Sequence, residues 1–254
     1  MTTPESPVTW IDFHTHVLDS PTLPEDALAA RREGVGLWLV NSVDVQNWVQ
    51  NKARATPYPE ALVGVGWHPE HVIQVPVSQV DATLETLEKM IPDAPFLGET
   101  GLDFLYGKTV DQQAVQEKVF RRFIHWSNQT GKLLEVHSRH AKQRVIDILV
   151  EEEAKHVLLH WFNGSSSQAK ILIEKNWVCT VGPTILSSPH IDAFIREMPL
   201  ASIGLETDAP IPFSGKPGTP ALIVEVGARV AALKRVSLAE VQAAQMGLFR
   251  RFFP

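Results

Sequence analysis

Short runs rich in β-branched and other apolar residues alternate with amphipathic stretches along nearly the whole chain, and this alternation leaves few folds open. Strands are predicted at 10–16, 36–42, 62–68, 96–103, 133–138, 156–162, 177–182 and 203–208. Between two of them, Val80, Leu84, Leu87 and Ile91 share one helical face in a stretch that begins at Ser78. Val115, Val119, Phe123 and Trp126 do the same after Asp111. Thr22-Leu23-Pro24-Glu25 and Ser237-Leu238-Ala239-Glu240 read as capping boxes, and Gly131 as a helix stop. Eight βα units in 254 residues predict an α/β fold, a TIM (β/α)8 barrel, with residues 1–254 as a single domain. No Gly/Ser-rich or Pro-rich linker, charge block or fixed-period repeat interrupts the sequence.

Composition narrows the chemistry. The one cysteine, Cys179, excludes an intramolecular disulfide and any thiolate-rich zinc or iron–sulfur site, so His, Asp and Glu are the available metal ligands. Cys179 itself reads as a small core residue. A net charge of −6 argues against a protein that coats long DNA through a broad basic face, but not against a nuclease that relies on a few local cations. Arg31-Arg32, Arg121-Arg122 and Arg250-Arg251 read as solvated helix faces. The N-terminal segment lacks the basic and apolar regions of a signal peptide, and no apolar run is long enough to span a membrane, which predicts a cytoplasmic enzyme.

The ionisable residues fall at the ends of the predicted strands. Asp12, His14 and His16 alternate along strand one, where a period of two puts them on one face. His68 ends strand three, Glu99 and Asp103 lie on or just past strand four, and His137 ends strand five. His160 lies late in strand six and Asp208 ends strand eight. A (β/α)8 barrel delivers all of these to its C-terminal mouth, which turns an otherwise commonplace His-x-His into a metal-site signature. Satisfied core histidines are the competing reading for any one of them alone. An imidazole- and carboxylate-rich shell suits Zn²⁺, Mn²⁺, Ni²⁺ or Co²⁺, with Mg²⁺ as a further ion that supports activity.

The residues also match a family pattern. Asp12-x-His14-x-His16, Gly66-Trp67-His68-Pro69, Gly98-Glu99-Thr100-Gly101-Leu102-Asp103, Val136-His137-Ser138-Arg139, His160-Trp161-Phe162-Asn163-Gly164 and Leu205-Glu206-Thr207-Asp208-Ala209-Pro210 occur in this order. They resemble the motifs of the TatD-type metal-dependent deoxyribonucleases of the amidohydrolase superfamily, from about Trp10 to the end of the chain. The resemblance implies a binuclear site in which His14, His16, Glu99 and Asp208 hold one cation and Glu99, His137 and His160 the other, with Glu99 bridging. The carboxylated lysine of many related amidohydrolases has no counterpart here, since no lysine occurs between Ile91 and Tyr106. The sequence departs from the pattern at Gly215-Lys216-Pro217-Gly218-Thr219-Pro220, where many relatives carry Arg-Asn-Glu-Pro, and at His68-Pro69-Glu70-His71, where His-Pro-His is common. The first difference bears on substrate binding more than on metal binding.

The expected reaction is metal-assisted phosphodiester hydrolysis, with Asp208 and Glu99 as catalytic residues and Asp208 both ligating a metal and accepting the proton of the nucleophilic water. Asp12, Asp103 and Glu206 share strand parity with ligands and are expected to orient histidines from behind or to serve as structural hydrogen-bonding groups. Arg139 and His68 are candidate substrate-binding residues; a rim ion pair is the other reading of Arg139, and a third cation or a loop-structural role the others of His68. Trp67 and Trp161 are expected to pack or to stack on a base, and His71, His125, His140, His156 and His190 are assigned nothing. DNA, single-stranded or at its ends, is the expected substrate, with no membrane and no obligate protein partner. The alternatives are a superfamily hydrolase of a small amide, lactone or phosphoester, and a barrel that binds metal only for structure.

Overall fold

The computed structural model describes residues 10–215 and 217–254. Strands and helices alternate as the hydrophobic pattern requires: β1 (Trp10–Thr15), α1 (Leu23–Arg32), β2 (Val35–Val40), α2 (Val45–Arg54), β3 (Ala61–Val63), α3 (Pro69–Val72), α4 (Val80–Met90), β4 (Leu97–Asp103) and α5 (Val110–Thr130). The second half continues with β5 (Leu134–Arg139), α6 (Lys142–Glu151), β6 (Val157–Leu159), α7 (Ser166–Glu174), β7 (Val178–Val181), α8 (Asp192–Glu197), β8 (Ile203–Leu205), α9 (Ile223–Lys234) and α10 (Leu238–Phe252). Every predicted strand is present, most of them shorter than expected.

The strands pair in parallel, β1 to β3 in one run and β4 to β8 in another. Two seams join the runs into a (β/α)8 barrel. At the first, Val65 and Leu97 form a parallel bridge, and Gly98 N donates to Val65 O (2.8 Å). At the second, Asp208 N donates to His14 O (3.1 Å) and His16 N to Ala209 O (2.7 Å). This closing seam is built from the segments that carry His14, His16 and Asp208. A fully closed barrel leaves no exposed sheet edge.

Helix termini explain much of the local register. Thr109 caps α5 reciprocally with Gln112, and α5 ends at Gly131, whose φ of 71° is left-handed and open to glycine at no steric cost. Ser237 and Glu240 form the expected box at α10. The box expected at Thr22 does not form: the Thr22 hydroxyl donates instead to Asp26 (3.0 Å), as does that of Ser20 (2.6 Å). Val80, Leu84, Leu87 and Ile91 are buried together, as are Val119, Phe123 and Trp126. Cys179 lies in the core, and burial pushes its thiol up to about 12. No helix among the described residues is long and apolar enough to cross a membrane.

Candidate metal centre

Seven of the strand-end residues meet at one mouth. Glu99 stands at the centre, almost entirely buried. Its Oε2 lies 3.6 Å from His14 Nε2 and 3.3 Å from His16 Nε2. Its Oε1 lies 3.8 Å from both His68 Nε2 and His160 Nε2, and 2.7 Å from His137 Nδ1. Asp208 closes the ring, with Oδ1 3.7 Å from the Nε2 of both His14 and His16, and Oδ2 4.0 Å from His160 Nε2. Asp208 has a φ of 54°, in the left-handed region that non-glycine residues seldom occupy and where Asp and Asn are the usual exceptions.

The longer separations are the informative ones. His14 Nε2 is fully buried with no hydrogen-bond partner, a costly condition for a bare ring nitrogen. Two ligands each about 2.0–2.2 Å from a tetrahedral cation lie about 3.3–3.6 Å apart, close to the 3.3–3.7 Å separations found around His14 and His16. Three overlapping groups have donor atoms close enough to hold an ion: His14 with His16 and Asp208, His14 with Glu99 and His160, and His68 with Glu99 and His137. The donors therefore fit divalent cations. The Glu99–His137 contact is a direct hydrogen bond, so an ion there must part that pair.

The far side of each ring determines which nitrogen faces the centre. His160 Nδ1 meets Glu206 Oε2 at 2.9 Å, and His137 Nε2 meets Asp103 Oδ2 at 3.0 Å, so His160 presents Nε2 and His137 presents Nδ1. Both carboxylates thus stand behind histidine rings, on the side away from Glu99. His68 is different. Its Nδ1 accepts the backbone N–H of Glu70 (3.2 Å) at the start of α3, which leaves the proton on Nε2, facing Glu99. Burial lowers the His68 pKa to about 3, so the ring is neutral and offers an N–H rather than a lone pair.

Charge in the centre follows from the same contacts. Burial opposes ionisation of Glu99, but the surrounding histidines and the hydrogen bonds from His137 and His16 hold it well below the usual carboxylate range. Burial also opposes protonation of His160, yet Glu206, Glu99 and Asp208 hold its pKa above the ordinary value. His16 and His137 are raised too, against their burial, by contacts with Glu99 and, for His137, Asp103. Burial pushes Asp208 up to about 6. A cation must displace the protons these raised groups hold, so its affinity is expected to rise with pH through about 6. Competition titrations against a chelator at pH 5.5 and 7.5 check this, and equal affinities would contradict it.

Asp12 does not reach a histidine ring. The β1–β2 ladder is irregular between Asp12 and Thr15, so strict alternation fails there, and the carboxylate is taken up by the Thr207 backbone N–H (3.0 Å) and hydroxyl. It therefore ties β1 to the segment carrying Asp208, the structural role left open for it. Trp67 is buried in the core and cannot stack on a substrate. Trp161 lines the cavity, anchored by Nε1 to Thr184 Oγ1 (2.9 Å). His71 and His140, assigned nothing from sequence, also line it, and His71 Nδ1 meets Asp44 Oδ2 at 2.8 Å.

The cavity over the centre has a volume of about 1000 Å³. Its rim carries Arg139, whose guanidinium lies 5.8 Å from the Tyr106 ring centre, and Lys142, whose ammonium donates to the Asn163 carbonyl (3.0 Å) and side chain. Lys142, Tyr106 and Asn163 were not singled out from sequence, nor were Glu135 and Asn41, which pack behind His14. Strand parity with His137 is the one local signal that could have found Glu135. Residue 216, in the segment that departs from the family pattern, lies outside the described residues.

A parallel (β/α)8 barrel with a buried His/carboxylate cluster at its C-terminal mouth defines the class of metal-dependent barrel hydrolases. The family model described as TatD related DNase matches residues 11–254, and the chain belongs to that family. The chain is 31% identical over 213 residues to the protein named deoxyribonuclease TATDN3 of Homo sapiens, covering 79% of this chain and 77% of that one. It spans 65% of the mouse TATDN3 protein, with 31% identity over 190 residues and 73% of this chain. It is 29% identical over 248 residues to YjjV of Escherichia coli, named an uncharacterized metal-dependent hydrolase, covering 91% and 93% of the two chains. In fold it is similar to the crystal structure of the Escherichia coli TatD homolog YjjV (TM-score 0.85, 24% identity, covering 97% of this chain and 99% of that one). It is likewise similar to a TatD family hydrolase of Entamoeba histolytica (TM-score 0.84, 16% identity, 98% and 99%).

Proposed function

We propose that the chain hydrolyses phosphodiester bonds of DNA, acting on single strands or ends with two divalent cations. The observation that carries this reading is the bare, buried Nε2 of His14 between Glu99 and Asp208. His14, His16, Glu99 and Asp208 would hold one ion, and Glu99, His137 and His160 the other. Zn²⁺, Mn²⁺, Ni²⁺ and Co²⁺ suit the donor set, and Mg²⁺ is a further ion for assay. The cations supply Lewis acidity, lowering the pKa of water and offsetting charge on the phosphate.

The protein side of the reaction divides among named groups. Asp208, buried at the mouth with its two oxygens facing different histidines, would accept the proton from water. His68 contributes an Nε2–H, so its role is to donate to a phosphate oxygen rather than to ligate an ion. Arg139, with no carboxylate partner among the described residues, is free to pair with a neighbouring phosphate, and Tyr106 beneath it offers a ring face to a base. These local contacts matter because the net charge of −6 gives no long-range attraction for DNA.

The testing experiment digests 3′-end-labelled and 5′-end-labelled single-stranded DNA with metal-replete protein, with the Asp208→Asn variant as control. Shortening that the variant lacks supports the reading and gives the polarity. Intact DNA alongside stoichiometric bound metal would move the assignment to a small ester, amide or lactone. Arg139→Ala is expected to raise KM for DNA several-fold and to reduce the salt slope by about 1. It should leave hydrolysis of bis-p-nitrophenyl phosphate unchanged, because that substrate has no second phosphate; an equal loss on both substrates would remove Arg139 from strand binding.

A further inference from the structure

Glu135 is fully buried on β5, two residues before His137, and nothing in the reaction outlined above uses it. Its Oε2 is 2.9 Å from His14 Nδ1 and 2.6 Å from the side-chain nitrogen of Asn41, at the end of β2. The two nitrogens are themselves 2.9 Å apart. With Glu135 ionised, one arrangement satisfies all three atoms: both N–H groups donate to Oε2. A bare Nδ1 would instead set two lone pairs against each other across a buried contact. Glu135 therefore places the His14 proton on Nδ1 and turns a bare Nε2 towards Glu99 and Asp208.

As a stabilising residue, Glu135 is poorly satisfied. Its Oε1 is buried without a hydrogen-bond partner, and its chain neighbours Leu134 and Val136 are apolar and fully buried. A buried carboxylate with one oxygen unsatisfied costs stability, and replacing such a group with a neutral one of similar shape is often neutral or stabilising. Space for it is also reserved: a Cβ on Gly98 would come within 2.7 Å of Glu135 Cβ and 2.6 Å of Asn41 Oδ1. Asp103 behind His137 and Glu206 behind His160 have the same relation to their rings.

We propose that Glu135 is a positioning residue for the cation site: held with Asn41, it fixes the tautomer and orientation of His14 and raises the affinity of the site for a divalent ion at the expense of the metal-free fold. This rests on the reading of His14 as a metal ligand. Loss of such a partner behind a ligating histidine typically weakens binding about 10–100-fold.

The test uses Co²⁺ alone as the probe, titrated into metal-free full-length protein and followed by visible absorption. Glu135→Gln is expected to raise the Co²⁺ dissociation constant by about 10–100-fold for one equivalent and to alter its absorption bands. The thermal midpoint of the metal-free variant is expected to equal or exceed that of the wild type. Wild-type Co²⁺ affinity and spectrum in the variant would overturn the proposal while leaving His14 as a ligand. A wild type that binds no Co²⁺ would overturn the ligand reading itself. The His14 ring of the wild type supplies a second, independent measurement that needs no substitution. Long-range ¹H–¹⁵N spectra of the metal-free protein should report a protonated Nδ1 and a bare Nε2 for His14, and the opposite tautomer refutes the proposal.

Discussion

Asp208→Asn is expected to lower kcat by about 10²–10⁴-fold, the range ascribed to loss of a positioned proton acceptor. The substitution isolates proton transfer well. Asn has nearly the volume of Asp and tolerates the left-handed backbone at φ 54°, so the turn after β8 should survive. The hydrogen bond from the Asp208 backbone N–H to His14 O belongs to the main chain and is unaffected, so barrel closure is kept. What disappears is the buried carboxylate that would take up the proton. At least the ion held by Glu99, His137 and His160 should remain bound. Steady-state hydrolysis of bis-p-nitrophenyl phosphate together with metal analysis reads both quantities, and near-normal turnover would remove Asp208 from the proton path.

Glu99→Gln is expected to have the second large effect. Glu99 stands between two sets of histidines: Oε2 faces His14 and His16, while Oε1 faces His68, His137 and His160. It is also a negative charge that, against burial, raises His16, and that adds to Asp103 in raising His137 and to Glu206 in raising His160. A neutral amide at that position removes a ligand from both cation sets at once. Bound metal after purification should fall to no more than half the wild-type content, and hydrolysis should fall below detection. A variant with the full wild-type metal content would exclude the bridging role. The metal-free variant should also lose the stabilisation its raised histidines provide. Such groups stabilise the fold below their ordinary pKa of 6.5 and lose that contribution as pH rises through their raised values, so any difference in stability between variant and wild type should shrink at alkaline pH.

Much of the architecture was legible because it is locally encoded. Period-two runs separated by 3.6-period stretches identify the strands and helices without knowledge of the tertiary structure, and the strand-end positions of His14, His16, Glu99, His137, His160 and Asp208 follow directly from them. The capping box at Ser237 and the stop at Gly131 were legible for the same reason, since their partners lie within a turn. At Thr22 the same rule misled, because Asp26 competes for the hydroxyl. For Asp12 the sequence left two roles open, and the choice between them was made by Thr207, a partner 195 positions away. Trp67 sits beside His68 in sequence yet points into the core, a distinction that adjacency cannot make.

By itself the sequence determined which chemical groups are available and that the strand ends would carry them, because secondary structure and side-chain parity depend on residues a few positions apart. Only the tertiary structure decided what stands behind each ring. Glu135 meets His14 across 121 positions, Glu206 meets His160 across 46, and Asp12 meets Thr207 across 195. Those pairings depend on barrel stagger and closure, which no local period encodes. They determine which histidine nitrogen faces the centre, and so separate His14, His137 and His160, whose inward nitrogens can serve an ion, from His68, which offers a proton.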